Sequence, residues 1–93
     1  MQGITKSGFE YDIDDRVLKD WRFAAAMAKW NSKKSVEQLE GIQTVVEMLF
    51  GGFDSEKYNN FMNHIASQTD GFVPAQTVMS EITEIFENNK VKN

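Results

Sequence analysis

The sequence predicts a mainly α fold, a short N-terminal β-hairpin followed by a compact four-helix domain. Three observations carry this expectation. Phe9, Tyr11 and Ile13 alternate with Glu10 and Asp12, the period of a strand with one buried face. From Val17 onward, apolar residues recur at spacings of three and four, the period of an amphipathic helix. Caps and breakers punctuate that pattern at Ser35, Gly51-Gly52, Asp54, Asp70-Gly71 and Pro74. The 93 residues, 41% apolar and 26% charged, read as a single domain spanning 1–93.

The hairpin is expected over about residues 4–13, with Ser7-Gly8 as its tight turn. Helix one is expected over about 15–31. Asp14 caps it, and Ile13 pairs with Leu18 as a hydrophobic staple. Helix two, about 35–50, opens on a Ser35–Gln38 capping box and stops at Gly51-Gly52. Its apolar stripe is Val36, Leu39, Ile42, Val46 and Leu49. Helix three, about 55–68, follows Asp54 as N-cap and turns Tyr58, Phe61, Met62 and Ile65 to one face. Helix four, about 74–89, takes Pro74 at its first position. Val78, Met79, Ile82, Ile85 and Phe86 face inward, and Glu81, Glu84 and Glu87 cover the opposite side. The closing residues NNKVKN are expected to fray.

Composition narrows the chemistry. With no cysteine, disulfides, thiolate zinc sites and cysteine nucleophiles are excluded, and a reducing compartment is expected. No secretory leader is read at the N-terminus, and no apolar run approaches the ~18 residues of a membrane span. A soluble intracellular protein with no membrane partner follows as the expectation. The net charge of −4 disfavours phosphate-backbone binding, so no nucleic-acid partner is expected. Lys29, Lys33 and Lys34, and again Lys90 and Lys92, fall where helices end, a placement the helix dipole favours.

The acidic run Glu10, Asp12, Asp14 and Asp15 invites a metal or catalytic assignment. Glu10 and Asp12 instead leave the solvent face of a strand, and Asp14 and Asp15 begin a helix. The stretch also lacks the glycine and distal Glu of a calcium loop. His64, the one histidine, falls at the flank of the helix-three apolar face with no marked nucleophile beside it. Gly51-Gly52 lacks the lysine and hydroxyl of a phosphate loop. No enzyme, no metal and no cofactor are expected.

Helix one carries two apolar stripes. Val17, Leu18, Trp21, Ala24, Ala25 and Ala28 share one side, and Phe23, Met27 and Trp30 lie nearly opposite. Such a helix is either central to its fold, with both stripes in the core, or presents one stripe to a partner. On the second alternative Phe23, Met27 and Trp30 are the partner-binding residues.

Two stretches resemble a known family. SGFEYDIDDRVLKDWRFAAAMAKW (7–30) is similar to the opening of the small tail assembly chaperones of long-tailed, siphovirus-type phages and prophages, and DGFVPAQTVMSEITEIFE (70–87) to their closing helix. The resemblance implies a non-enzymatic assembly factor in the cytoplasm of a bacterial host, absent from the mature virion. Its implied partners are the tape measure protein, which it keeps soluble, and the major tail protein, with self-association into a homo-oligomer. The competing expectation is a small intracellular adaptor or regulator unrelated to tails.

Overall fold

The computed structural model describes residues 1–91 and shows a two-stranded antiparallel hairpin followed by four helices. Strand β1 (Gln2–Ile4) pairs with β2 (Glu10–Asp12), Gly3 opposite Tyr11. The turn closes where Gly8 N–H donates to the Thr5 carbonyl, and Gly8 takes the left-handed φ of 95° that glycine adopts freely. β1 thus begins earlier than the expected residue 4. Phe9, Tyr11 and Ile13 are buried and Glu10 and Asp12 exposed, as the alternation predicts.

The expected helix over 15–31 is two helices. A 3-10 helix runs over Asp15–Lys19, and α1 over Trp21–Trp30. Asp20 separates them with extended backbone (φ −74°, ψ 135°). The cause is a repeated Asp-x-Arg unit. Asp14 accepts from the Arg16 N–H and grips the Arg16 guanidinium. Asp20 does the same with Arg22, at 2.8 Å to both the amide and Nη2. Each arginine holds its aspartate well below the usual carboxylate range, at about 2, through the side-chain hydrogen bond first and the backbone N–H second. Asp14 therefore caps as expected, but a second aspartate interrupts the helix to cap the next one.

Helix α2 spans Ser35–Leu49. Its N-cap is Lys34, with no side-chain cap, so the Ser35–Gln38 box does not form. Ser32 stands in, accepting from Lys34 N–H and donating to Glu37. At the other end the Gly52 N–H reaches the Glu47 carbonyl at 2.7 Å with Gly51 at φ 87°, the expected glycine stop as a Schellman motif.

Helix α3 covers Glu56–Gln68. Ser55, not Asp54, caps it by accepting from Tyr58 N–H. Helix α4 covers Ala75–Asn88, with Pro74 as N-cap rather than first helical residue. Both helices end like α2, with a left-handed residue (Asp70, Lys90) and a following N–H bonded to the third-last helical residue, Gly71 to Ala66 and Val91 to Phe86. The NNKVKN tail is thus capped as far as Val91. Lys92 and Asn93 lie outside the described residues.

One hydrophobic cluster joins β2, the 3-10 helix and the four α-helices. Phe50 and Phe61 stack with centroids 4.7 Å apart, and Phe9 of the hairpin meets both rings edge-on. Phe86 touches Phe23 and Trp30 of α1 at 6.3 and 6.0 Å. The hairpin, too short to be stable alone, is held by this aromatic contact. Helices α1 and α2 approach closely at Gly41. A Cβ there would lie 2.6 Å from the Ala26 carbonyl oxygen and 2.8 Å from the Lys29 carbonyl carbon.

Candidate functional site

Phe23, Met27 and Trp30 are buried, at 3%, 8% and 6% exposure. The three do not form an exposed binding stripe. The break at Asp20 sets the roll of α1, so these large side chains enter the core with Ala26, while Trp21, Ala24, Ala25 and Ala28 turn outward. Trp21 is 85% exposed. Within Trp21–Trp30 the side with Phe23, Met27 and Trp30 carries more apolar volume than Trp21 with its three alanines, and it takes the dry side, because burial stabilises in proportion to area.

Away from α1, an apolar groove opens between α2, α3 and α4. Its lining is Leu39, Ile42, Gln43 and Val46 from α2, Tyr58 and Met62 from α3, and Ala75, Val78 and Met79 from α4. The groove encloses about 330 Å³ and contains no charged residue. Its existence follows from how the helices are patterned. The expected α2 stripe runs from Val36 to Leu49, but only Ile42, Val46 and Leu49 of it reach the core. Val36 and Leu39 project past the neighbouring helices, at 70% and 56% exposure. Tyr58, Met62 and Met79 are half-buried on the facing walls. Phe53 extends the surface, its ring 5.4 Å from that of Tyr58, and exposed Phe72 and Val73 lead into α4 just before Ala75. Contiguous apolar surface of this kind marks an interaction site more often than scattered exposed residues do.

A second constellation links the hairpin turn to α3 and α4. Ser7 Oγ donates to Glu81 Oε1 at 2.6 Å and lies 2.9 Å from His64 Nε2 and 3.0 Å from Thr5 Oγ1. Sequence distance hid these partners, since Ser7 is 57 residues from His64 and 74 from Glu81. Glu81, expected on the solvent side of α4, is instead buried, and its Oε2 has no hydrogen-bond partner. The three residue types are those of a hydrolytic triad, but the connectivity differs. In a triad the acid orients the histidine and the histidine takes the serine proton. Here the serine hydroxyl donates its hydrogen bond to the Glu81 carboxylate, so His64 Nε2, 2.9 Å away, is not placed as the base for that proton. The amides on either side of Ser7 are occupied, Lys6 N–H by Glu84 and Gly8 N–H by Thr5, so they offer no oxyanion site. With Gln68 donating to the Ser7 carbonyl, the cluster works as a polar clamp on the hairpin.

The acids of the opening run are dispersed. Asp14 holds Arg16, and Glu10 and Asp12 stand outward on β2. Among the described residues, no group of three or more His, Cys, Asp or Glu is placed to hold a metal ion. No described helix is long and apolar enough to cross a membrane. Comparison with models of protein families, with characterised proteins and with solved structures returns no match to this chain.

Proposed function

We propose that this chain is a tail assembly chaperone of a long-tailed phage or prophage. It is a non-enzymatic factor in the cytoplasm of the bacterial host that binds the tape measure protein, assists assembly of the tail tube and is absent from the finished virion. The observation that carries this reading is the uncharged apolar groove between α2, α3 and α4. A long helical client exposes apolar stripes with nothing to bury them until the tube forms. A groove walled by flexible Met62 and Met79 and by exposed Leu39 covers such a stripe by helix-in-groove packing. The similarity of 7–30 and 70–87 to this family supports the same reading.

The test is co-expression with a tape measure protein from the same phage or prophage. A soluble complex is expected, and Leu39→Lys is expected to remove the complex while leaving helicity intact, since Leu39 is exposed. A client that stays insoluble and never co-purifies overturns the proposal.

A further inference from the structure

The hairpin turn is tied to two helices at once. On the α4 side Lys6 N–H donates to Glu84 Oε2 and Ser7 Oγ to Glu81 Oε1, both at 2.6 Å. On the α3 side Gln68 Nε2 donates to the Ser7 carbonyl at 2.8 Å, and His64 Nε2 lies 2.9 Å from Ser7 Oγ. His64 and Gln68 are one turn apart on α3, as Glu81 and Glu84 are on α4. The backbones of α3 and α4 make no approach comparable to that of α1 and α2, so side chains set their spacing. The same two helices wall the groove. Met62 precedes His64 by two residues, and Met79 precedes Glu81 by two. Two helical residues turn about 200°. At one level, each helix therefore shows a methionine to the groove and a partner of the turn to the opposite side.

We propose that the hairpin turn is a latch that sets the width of the groove from behind. Close-packed core side chains stop α3 and α4 from coming nearer, and the bridge through Lys6 and Ser7 stops them from parting. Glu81 gives the latch its leverage. The residue is buried, its Oε2 has no partner, and Ser7 supplies the hydrogen bond at Oε1. With the turn released, a buried carboxyl group is left bare, a costly state that movement toward water relieves. That movement carries α4, and Met79 with it, away from Met62. The latch acts whatever fills the groove, so it stands apart from the tail reading.

The cysteine-free chain allows a direct distance test. Spin labels at Asn63→Cys in α3 and Ser80→Cys in α4, both exposed positions, report the spacing by double electron–electron resonance. Ser7→Ala is expected to lengthen the mean distance by about 1–2 Å, the size of a helix shift. Ser7→Thr, which keeps the hydroxyl, is expected to hold it. Glu84→Ala removes only the acceptor of the Lys6 amide and is expected to move the distance the same way by less. It decides alone if Ser7→Ala does not fold. Methyl spectra of labelled methionine read the groove itself. Under Ser7→Ala the Met62 and Met79 signals are expected to shift while that of core Met27 stays. An unchanged distance in these alanine variants, a Ser7→Thr distance as long as that of Ser7→Ala, or a Met27 shift as large as those of Met62 and Met79 overturns the proposal.

Discussion

At the scale of single residues, Ser7 is the most heavily engaged side chain on the hairpin. Its hydroxyl gives Glu81 the one hydrogen bond that buried carboxylate receives, and it meets His64 and Thr5 besides. Ser7→Ala leaves Glu81 with no partner on either oxygen. The expected loss is about 1–3 kcal/mol, the desolvation cost of a stranded buried acceptor, read as a lower urea midpoint. An unchanged midpoint would show that Glu81 has found water. The sequence marks none of this. Ser7 reads as an ordinary turn residue, His64 as a boundary residue and Glu81 as one of three solvent-facing acids. Only the docking of the turn against α3 and α4 turns them into one cluster.

At the scale of elements, the repeated Asp-x-Arg unit decides how the chain enters α1. Each aspartate accepts its own i+2 amide and is fixed there by the arginine, so the segment breaks twice within seven residues. Both units are visible in the sequence at Asp14–Arg16 and Asp20–Arg22, but apolar periodicity bridges them and suggests one helix. The α1–α2 contact is the second decisive feature, because Gly41 lets the two backbones touch. Gly41→Ala would improve helix propensity in isolation. Here its Cβ collides with the α1 backbone, which has no rotamer to yield, so a destabilisation of about 1–3 kcal/mol is expected. Thermal unfolding of the variant measures it, and a raised melting temperature would contradict the close approach.

At the scale of the whole molecule, burial of Phe23, Met27 and Trp30 and exposure of the groove are two sides of one packing choice. The core draws on α1 and the C-terminal half of α2, which leaves Val36 and Leu39 beyond it. Met27→Lys places an ammonium in that core and removes a packed side chain, at an expected cost of about 3–5 kcal/mol. Against a total stability of about 5–15 kcal/mol, and the low end for so short a chain, the helical signal should collapse. Circular dichroism checks this. Intact helicity would return Met27 to the surface and with it the alternative of a binding stripe on α1.

Local pattern was enough for the order of the hairpin and the four α-helices, the face of β2 that is buried, the glycine stop of α2 and the inward stripe of α4. All of these follow from local spacing and local backbone preference, which act within a few residues. Long-range packing set which stripe of α1 is core, where the α2 stripe leaves the core, and that Ser7, His64 and Glu81 meet. A helical period shows that a face is apolar without saying what covers it. Cover comes from the relative placement of helices, set at contacts such as Gly41 against Ala26 and Phe9 against Phe50 and Phe61, between residues far apart in the chain.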